Sequence, residues 1–318
     1  MTEQVQITIV GTGCIGASIG LALRQATQPL LIVGHDRESK NASAAQKMKA
    51  VDRTDWNLIN ACERADLVVL ALPLNAIEAT LKAIGPYLKE GCVVTDTANL
   101  KQQVLEWADH LLPEAVNFVG GDPLVAAGAG PAEARADLFQ GSLYCVMPSP
   151  RAHPDAVSLV SSLVALLGAR PFYLDAAEHD GLTAGTAQVP QVVALALWRC
   201  VLANAAWRDM RKMAGGSFDV ISALMGEDAD TLAGGLLSNR THVLSWLDAT
   251  VDQLRGLRQL LADGTPEALG KTSEEAIEAR RQWLRDRHRQ FSEEMPMPSI
   301  EKPNLLHQIL PRRLLERR

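Results

Sequence analysis

Residues 5–36 read VQITIVGTGCIGASIGLALRQATQPLLIVGHD, and no other stretch restricts the fold as tightly. Ile7, Ile9 and Val10 form a short β-branched run that stops at Gly11. Gly11, Gly13 and Gly16 then fit G-x-G-x-x-G, and an apolar helical pattern follows through Ile15, Ile19, Ala22 and Leu23. A second apolar run, Leu30 to Val33, ends in Gly34-His35-Asp36. Each part has a mechanical reason. The first glycine permits a tight strand-to-helix turn, the second lets backbone approach a pyrophosphate, and the third lets the helix pack on the strand. The helix N-terminus offers free N–H groups and a positive dipole end to phosphates. Asp36 stands where an acid accepts from a ribose 2′-hydroxyl. The stretch therefore predicts a dinucleotide site. The carboxylate of Asp36 disfavours a 2′-phosphate, so NAD is expected over NADP, with Arg37 the residue that partly offsets this.

Strand and helix signals alternate beyond Asp36. Residues 38–50 read as a helix, Asp66 to Pro73 as a buried strand, and Leu74 to Leu88 as a crossover helix. Strands are expected at Cys92 to Asp96, Val116 to Gly121, Leu143 to Met147 and Pro171 to Asp175, with a helix from His153 to Leu167. This spacing predicts an α/β fold, a Rossmann-like, doubly wound, mostly parallel sheet over residues 1–175. Ligands of such sheets lie beyond the carboxyl ends of the strands. The loops at Pro73, Asp96–Lys101 and Gly120–Pro123 are thus expected around the nicotinamide end. The expected cofactor-binding set is Gly11, Gly13, Cys14, Ile15, Gly16, Asp36, Arg37, Leu72, Pro73 and Thr97.

The pattern changes near residue 176. Residues 176–291 carry long Ala/Leu-rich helical periodicities, which predicts an all-α second domain. Gln188 to Ala206 is apolar on nearly all faces, as expected of a helix buried at a domain or subunit interface. Residues 292–318 are Pro-rich and then basic and read as an extended arm or tail.

The net charge of −6 argues against a nucleic-acid binder, whose phosphate contacts need a basic face. No apolar run has the length of a membrane span, and the N-terminus enters the first strand without a signal-like segment. The five cysteines are scattered and lack C-x-x-C spacing, so neither a disulfide framework nor a metal site is expected. These features fit a cytoplasmic protein with a small-molecule substrate.

Over residues 5 to 260 the chain resembles the prephenate/arogenate dehydrogenase family. The resemblance rests on GTGCIGASIGLAL, DLVVLALPL, TDTANLK and FVGGDPLVAAGAG, then on Glu178-His179-Asp180, the A-x-V-P segment at 187–190, AGGSF at 214–218 and LLSNR at 236–240. It implies a homodimer joined through the helical domain. It also implies oxidation of a ring hydroxyl of prephenate or arogenate by hydride transfer to NAD(P), with loss of carbon dioxide that aromatises the ring. The departures fall on the substrate side. The family's catalytic histidine falls on Asp122, its serine in the T-D loop on Asn99, and its two histidines of the A-x-V-P region on Gln188 and Gln191. Its carboxylate-binding arginine falls near Ser222 or Ala223. Histidine serves as a base because its pKa lies near neutrality, whereas an aspartate would need burial to do so. The catalytic candidates are accordingly Asp122, Asn99 and Gln188. The substrate-binding candidates are Lys101, Gln191, Asn239 and Arg240. His179 reads as structural at the domain junction, Asp122 alternatively as a turn cap, and Lys101 alternatively as a solvated helix-start lysine.

Three other functions fit less of the sequence. GGDPLVAAGAG loosely echoes β-hydroxyacid dehydrogenases, but Gly181 to Asn204 lacks the lysine that they require. A reductase of specialised metabolism, acting on a less anionic substrate, would share the fold and cofactor. A catalytically silent dinucleotide-binding protein would explain the lost histidines.

Overall fold

The computed structural model describes residues 4–26, 29–126, 128, 130–226 and 228–286. By its internal contacts the chain divides into two compact units, one through Asp180 and one from Gly181. The expected tail at 292–318 lies outside the described residues.

The first unit is one eight-stranded sheet: β1 (Val5–Val10), β2 (Leu30–His35), β3 (Arg53–Thr54), β4 (Leu67–Leu70), β5 (Val93–Asp96), β6 (Asn117–Pro123), β7 (Leu143–Pro148) and β8 (Arg170–Tyr173). The spatial order is β3-β2-β1-β4-β5-β6-β7-β8. Every pairing is parallel except β6 with β7, which is antiparallel and sets Asp122 opposite Cys145. The two-residue β3 carries no periodicity and left no trace in the sequence pattern.

The apolar strand runs have a simple cause. Alternate residues point to opposite faces, and both faces are covered by helices. Ile7, Ile9, Leu67 and Val69 join one core with Ile19 and Leu23 of α1 (Cys14–Leu23). Val10, Val68, Leu70 and Val94 join the other. The remaining helices of this unit are α2 (Ser39–Lys47), α3 (Leu58–Cys62), α4 (Leu74–Ile84), α5 (Gln102–Leu111), α6 (Pro154–Leu166) and α7 (Ala176–Thr183), which carries the boundary. Ile77, Leu81 and Ile84 of α4 and Val104 and Ala108 of α5 cover the second core, while Leu159, Val160 and Leu163 of α6 cover the first.

The second unit is helical. A π-helical turn, Ala184–Gln188, leads into α8 (Val189–Leu202), followed by α9 (Trp207–Met213), α10 (Gly216–Ser222), α11 (Ala229–Ser238), α12 (Arg240–Asp263) and α13 (Pro266–Asp286). Its core is small: Ala184, Val189 and Val243, with Val192, Val193, Leu236 and Leu247 packed against them. Trp198, Trp207 and Phe218 add an aromatic cluster with ring centroids 4.9–6.2 Å apart. Within the single chain α8 is largely uncovered, which leaves the subunit interface as the place where its apolar faces would be buried. Only Val189 and Ala194 are buried along it, and Leu195 and Leu202 are exposed.

Candidate active site

The sheet order fixes a line of loops. β2, β1, β4, β5 and β6 are successive neighbours, about 4.8 Å apart. Their carboxyl ends carry, in that order, Asp36, the glycine loop, Leu72-Pro73, Thr97 and Asp122. The order of chain crossing reverses between β1 and β4, which is where a doubly wound sheet opens its ligand crevice.

At that crevice Gly11 has φ +90°, and a Cβ there would fall 2.2 Å from the carbonyl oxygen of Ala71. Only glycine joins the two loops this closely. Gly13 is the N-cap of α1, with no side-chain cap and no acid in the first turn, so the helix dipole is left for an anion. Asp36 is tied into the same loop. Its Oδ2 accepts from the Thr12 backbone N–H at 2.8 Å and from Thr12 Oγ1 at 3.1 Å, and its Oδ1 accepts from Glu38 N–H at 2.8 Å. Thr12, a buried link between the glycine turn and the ribose-side acid, was not singled out by the motif. Cys14 is buried, Ile15, Leu72 and Thr97 are half-buried, and Pro73 is exposed. Arg37 is exposed, its guanidinium 3.9 Å from Glu38.

Beneath β5 and β6 lies a second, buried polar cluster. Asp96 and Lys101 form an ion pair in which both side chains are fully buried. Lys101 Nζ also donates to the Gly121 carbonyl at 2.7 Å. Asp96 accepts from Ala98 N–H at 2.9 Å and Gly121 N–H at 3.2 Å. Burial pushes the Asp96 carboxyl above the usual carboxylate range, opposed by the Lys101 ammonium and these N–H groups. Burial likewise raises the Tyr144 phenol packed beside it. A Cβ on Gly121 would meet the Asp96 carbonyl and the Tyr144 ring at 2.7 Å, which explains the glycine. Lys101 therefore neither reaches a ligand nor lies solvated, as the sequence suggested. The loop from Asp96 folds it inward, and its charge is spent on Asp96.

Asp122 is buried at the carboxyl end of β6 and points one oxygen at a histidine. Its Oδ2 lies 3.1 Å from His179 Nε2, and His179 Nδ1 lies 2.9 Å from Asp180 Oδ1. Asp180 in turn accepts from Lys101 N–H at 2.8 Å and Gln102 N–H at 2.9 Å, capping α5. Burial alone would lower the His179 pKa; its hydrogen bonds to Asp122 and Asp180 and its contact with the Cys145 side chain prevail and push it up to about 11. His179 thus contacts Asp122 from within its buried junction, and among the described residues the Asp122 side chain is seen bonded to His179. Glu178-His179-Asp180 was visible as a motif, but its contact with a residue 57 positions away was not.

The remaining candidates divide. Asn99 is exposed in the β5–α5 loop. In the second unit Gln188 is buried, donating from Nε2 to the Gly235 carbonyl at 2.8 Å while its Oε1 accepts from Asn239 at 2.7 Å. The catalytic reading of Gln188 is thereby weakened, because its amide is committed at both ends to its own unit. Asn239 is buried with it, Gln191 is half-buried, and Arg240 is exposed at the start of α12. Among the described residues no cluster of three or more His, Cys, Asp or Glu is arranged to hold a metal ion, and no helix is long and apolar enough to cross a membrane.

A family model described as the nucleotide-binding domain of prephenate dehydrogenase matches residues 19–173, and one described as its dimerization domain matches residues 175–275. The chain is 27% identical over 269 residues to a prephenate dehydrogenase of Bacillus subtilis (strain 168), covering 83% of this chain and 72% of that protein. It is 31% identical over 271 residues to the probable prephenate dehydrogenase NovF of Streptomyces niveus, covering 80% and 69%. The fold superposes with TM-score 0.81 on a crystal structure of prephenate dehydrogenase from A. aeolicus in complex with hydroxyphenyl propionate and NAD+, at 22% identity, covering 89% of this chain and 99% of that one.

Proposed function

The chain belongs to the prephenate dehydrogenase family and is an NAD-dependent dehydrogenase, and from that premise we propose that it oxidises a cyclohexadienyl hydroxy acid, prephenate or arogenate, with loss of carbon dioxide. The observation that carries this reading is the buried Asp122 carboxylate at the carboxyl end of β6, on the same line of loops as the glycine turn. Oxidising an alcohol needs a group that takes the hydroxyl proton while hydride leaves. Asp122 is that group here. The residues present suit the cofactor: an uncapped α1 terminus for the pyrophosphate and Asp36 for the ribose hydroxyls. Bound NAD supplies the hydride acceptor. Thr97 and Leu72-Pro73 flank the nicotinamide, and Asn99, exposed in the next loop, contributes a neutral polar contact to the substrate. Gln191, Asn239 and Arg240 are proposed as substrate-binding residues. Dimerisation through the helical unit and a cytoplasmic location complete the reading.

A second reading is a family-derived dehydrogenase or reductase acting on a less anionic substrate. It is favoured by the buried carboxylate of Asp122, which disfavours a dianionic substrate. NADH formation with prephenate and with arogenate separates the two. Turnover of either supports the first. Failure of both, with NAD binding intact, removes it in favour of the second.

A further inference from the structure

His179 lies between two carboxylates, and the hydrogen-bond arithmetic fixes its protons. Both oxygens of Asp180 already accept backbone N–H groups, from Lys101 and Gln102. That carboxylate is therefore an acceptor, and the Nδ1 facing it at 2.9 Å carries a hydrogen. A neutral imidazole has one N–H only. The contact from Nε2 to Asp122 at 3.1 Å then needs a proton of its own. That proton can sit on Nε2 or on Asp122 Oδ2; a second carboxylate at Nδ1, with the ring 2% exposed, favours the ring, which gives an imidazolium between two anions.

We propose that His179 is the positioning residue of the reaction, an imidazolium that holds Asp122 ionised and aims its second oxygen at the substrate hydroxyl. This rests on the reading of Asp122 as the proton acceptor. The oxidation then balances within the site. The hydroxyl proton passes to the Asp122 oxygen that His179 does not hold. The O–H electron pair would become the carbon–oxygen double bond as the C–H pair leaves as hydride, for which bound NAD would supply the acceptor. Asp180 completes the anchor, since α5 pins it through two backbone bonds. The groups facing His179 are Asp122 from β6, the Cys145 side chain from β7 and Asp180 from its own helix. Tyr144, Asp96 and Lys101 form the layer behind them.

The test combines spectra and kinetics. In 15N-labelled protein both ring nitrogens of His179 are expected at protonated shifts from pH 6 to 9. His179→Gln keeps one N–H donor but no charge. It is expected to lower kcat at least about tenfold, a fraction of what a whole acid–base group supplies, and to leave the KM for NAD within about twofold. It is also expected to change the pH profile of kcat/KM, because the charged partner of the proton acceptor is gone. A neutral ring near pH 7, or a variant whose pH profile overlays the wild type, overturns the proposal. The spectra need no variant, so they decide even if His179→Gln does not fold. A wild type inert toward both prephenate and arogenate would instead defeat the function reading, with the spectra still reporting the state of the ring.

Discussion

The glycine loop and the buried cluster at β5 and β6 sit on the same edge of one sheet but are built in different ways. The loop comes from consecutive residues: strand, turn, helix, second strand and Asp36 follow one another within residues 5–36. The cluster is assembled from Asp96, Lys101, Asp122 and His179-Asp180, brought together by strand order and by the cap on α5. The loop leaves the N-terminus of α1 uncapped for a ligand, while the cluster satisfies most of its groups internally and offers one carboxylate. The contrast separates two tasks. Binding of a dinucleotide is a local property of the chain, and acid–base chemistry is a tertiary one.

The contrast can be broken from the cluster side first. Lys101→Met leaves Asp96 buried and unpaired, and removing one partner of a buried ion pair costs about 3–5 kcal/mol. Urea denaturation should show that loss, and adding Asp96→Asn should recover part of it by removing the stranded charge. A Lys101→Met protein as stable as wild type would mean that the pair is dispensable. On the loop side, Asp36→Ala should weaken NAD binding by about 1.5–3 kcal/mol, one or two charged hydrogen bonds' worth. It should also narrow the gap to NADP, as titration calorimetry with both nucleotides can measure. Gly16→Ala places a Cβ 1.9 Å from the Gly11 carbonyl oxygen, so the loop must shift. About 1–3 kcal/mol of stability should be lost, together with NAD affinity, while the folded remainder keeps the His179 spectrum of wild type.

A further effect is a pH dependence of stability. The His179 pKa is raised from 6.5 to about 11, so the folded protein holds a proton that the unfolded chain releases between those values. Its contribution is complete below about pH 6.5 and fades as pH rises toward 11. Denaturant midpoints should therefore fall from pH 7 to pH 10 in wild type, and fall less in His179→Gln. A steeper slope in the variant would contradict the assignment.

Much of the first unit was legible because its signals are periodic or contiguous. The continuous apolar strands, the glycine spacing and the crossover helices each follow from neighbours in the chain. Lys101 shows where that ends. Five positions from Asp96, it looks like any lysine entering a helix, and nothing local says that the loop turns it beneath Gly121. His179 was placed by its motif but not by its partner, since the approach of α7 to β6 is a tertiary fact. Gln188 was read from a family position, and its engagement by Gly235 and Asn239 depends on how α11 and α12 pack, which apolar periodicity alone does not fix.

The most direct measurement is the pair of numbers from Asp122→Asn: the Kd for NAD and the kcat with whichever of prephenate or arogenate the wild type accepts. The variant keeps shape and a hydrogen-bonding oxygen but cannot take a proton. A Kd within about twofold of wild type with kcat lowered about 10²–10⁴-fold is the expected result. A variant that keeps more than a tenth of its turnover, or that loses NAD along with it, would show that binding and acid–base chemistry are not divided between the loop and the cluster.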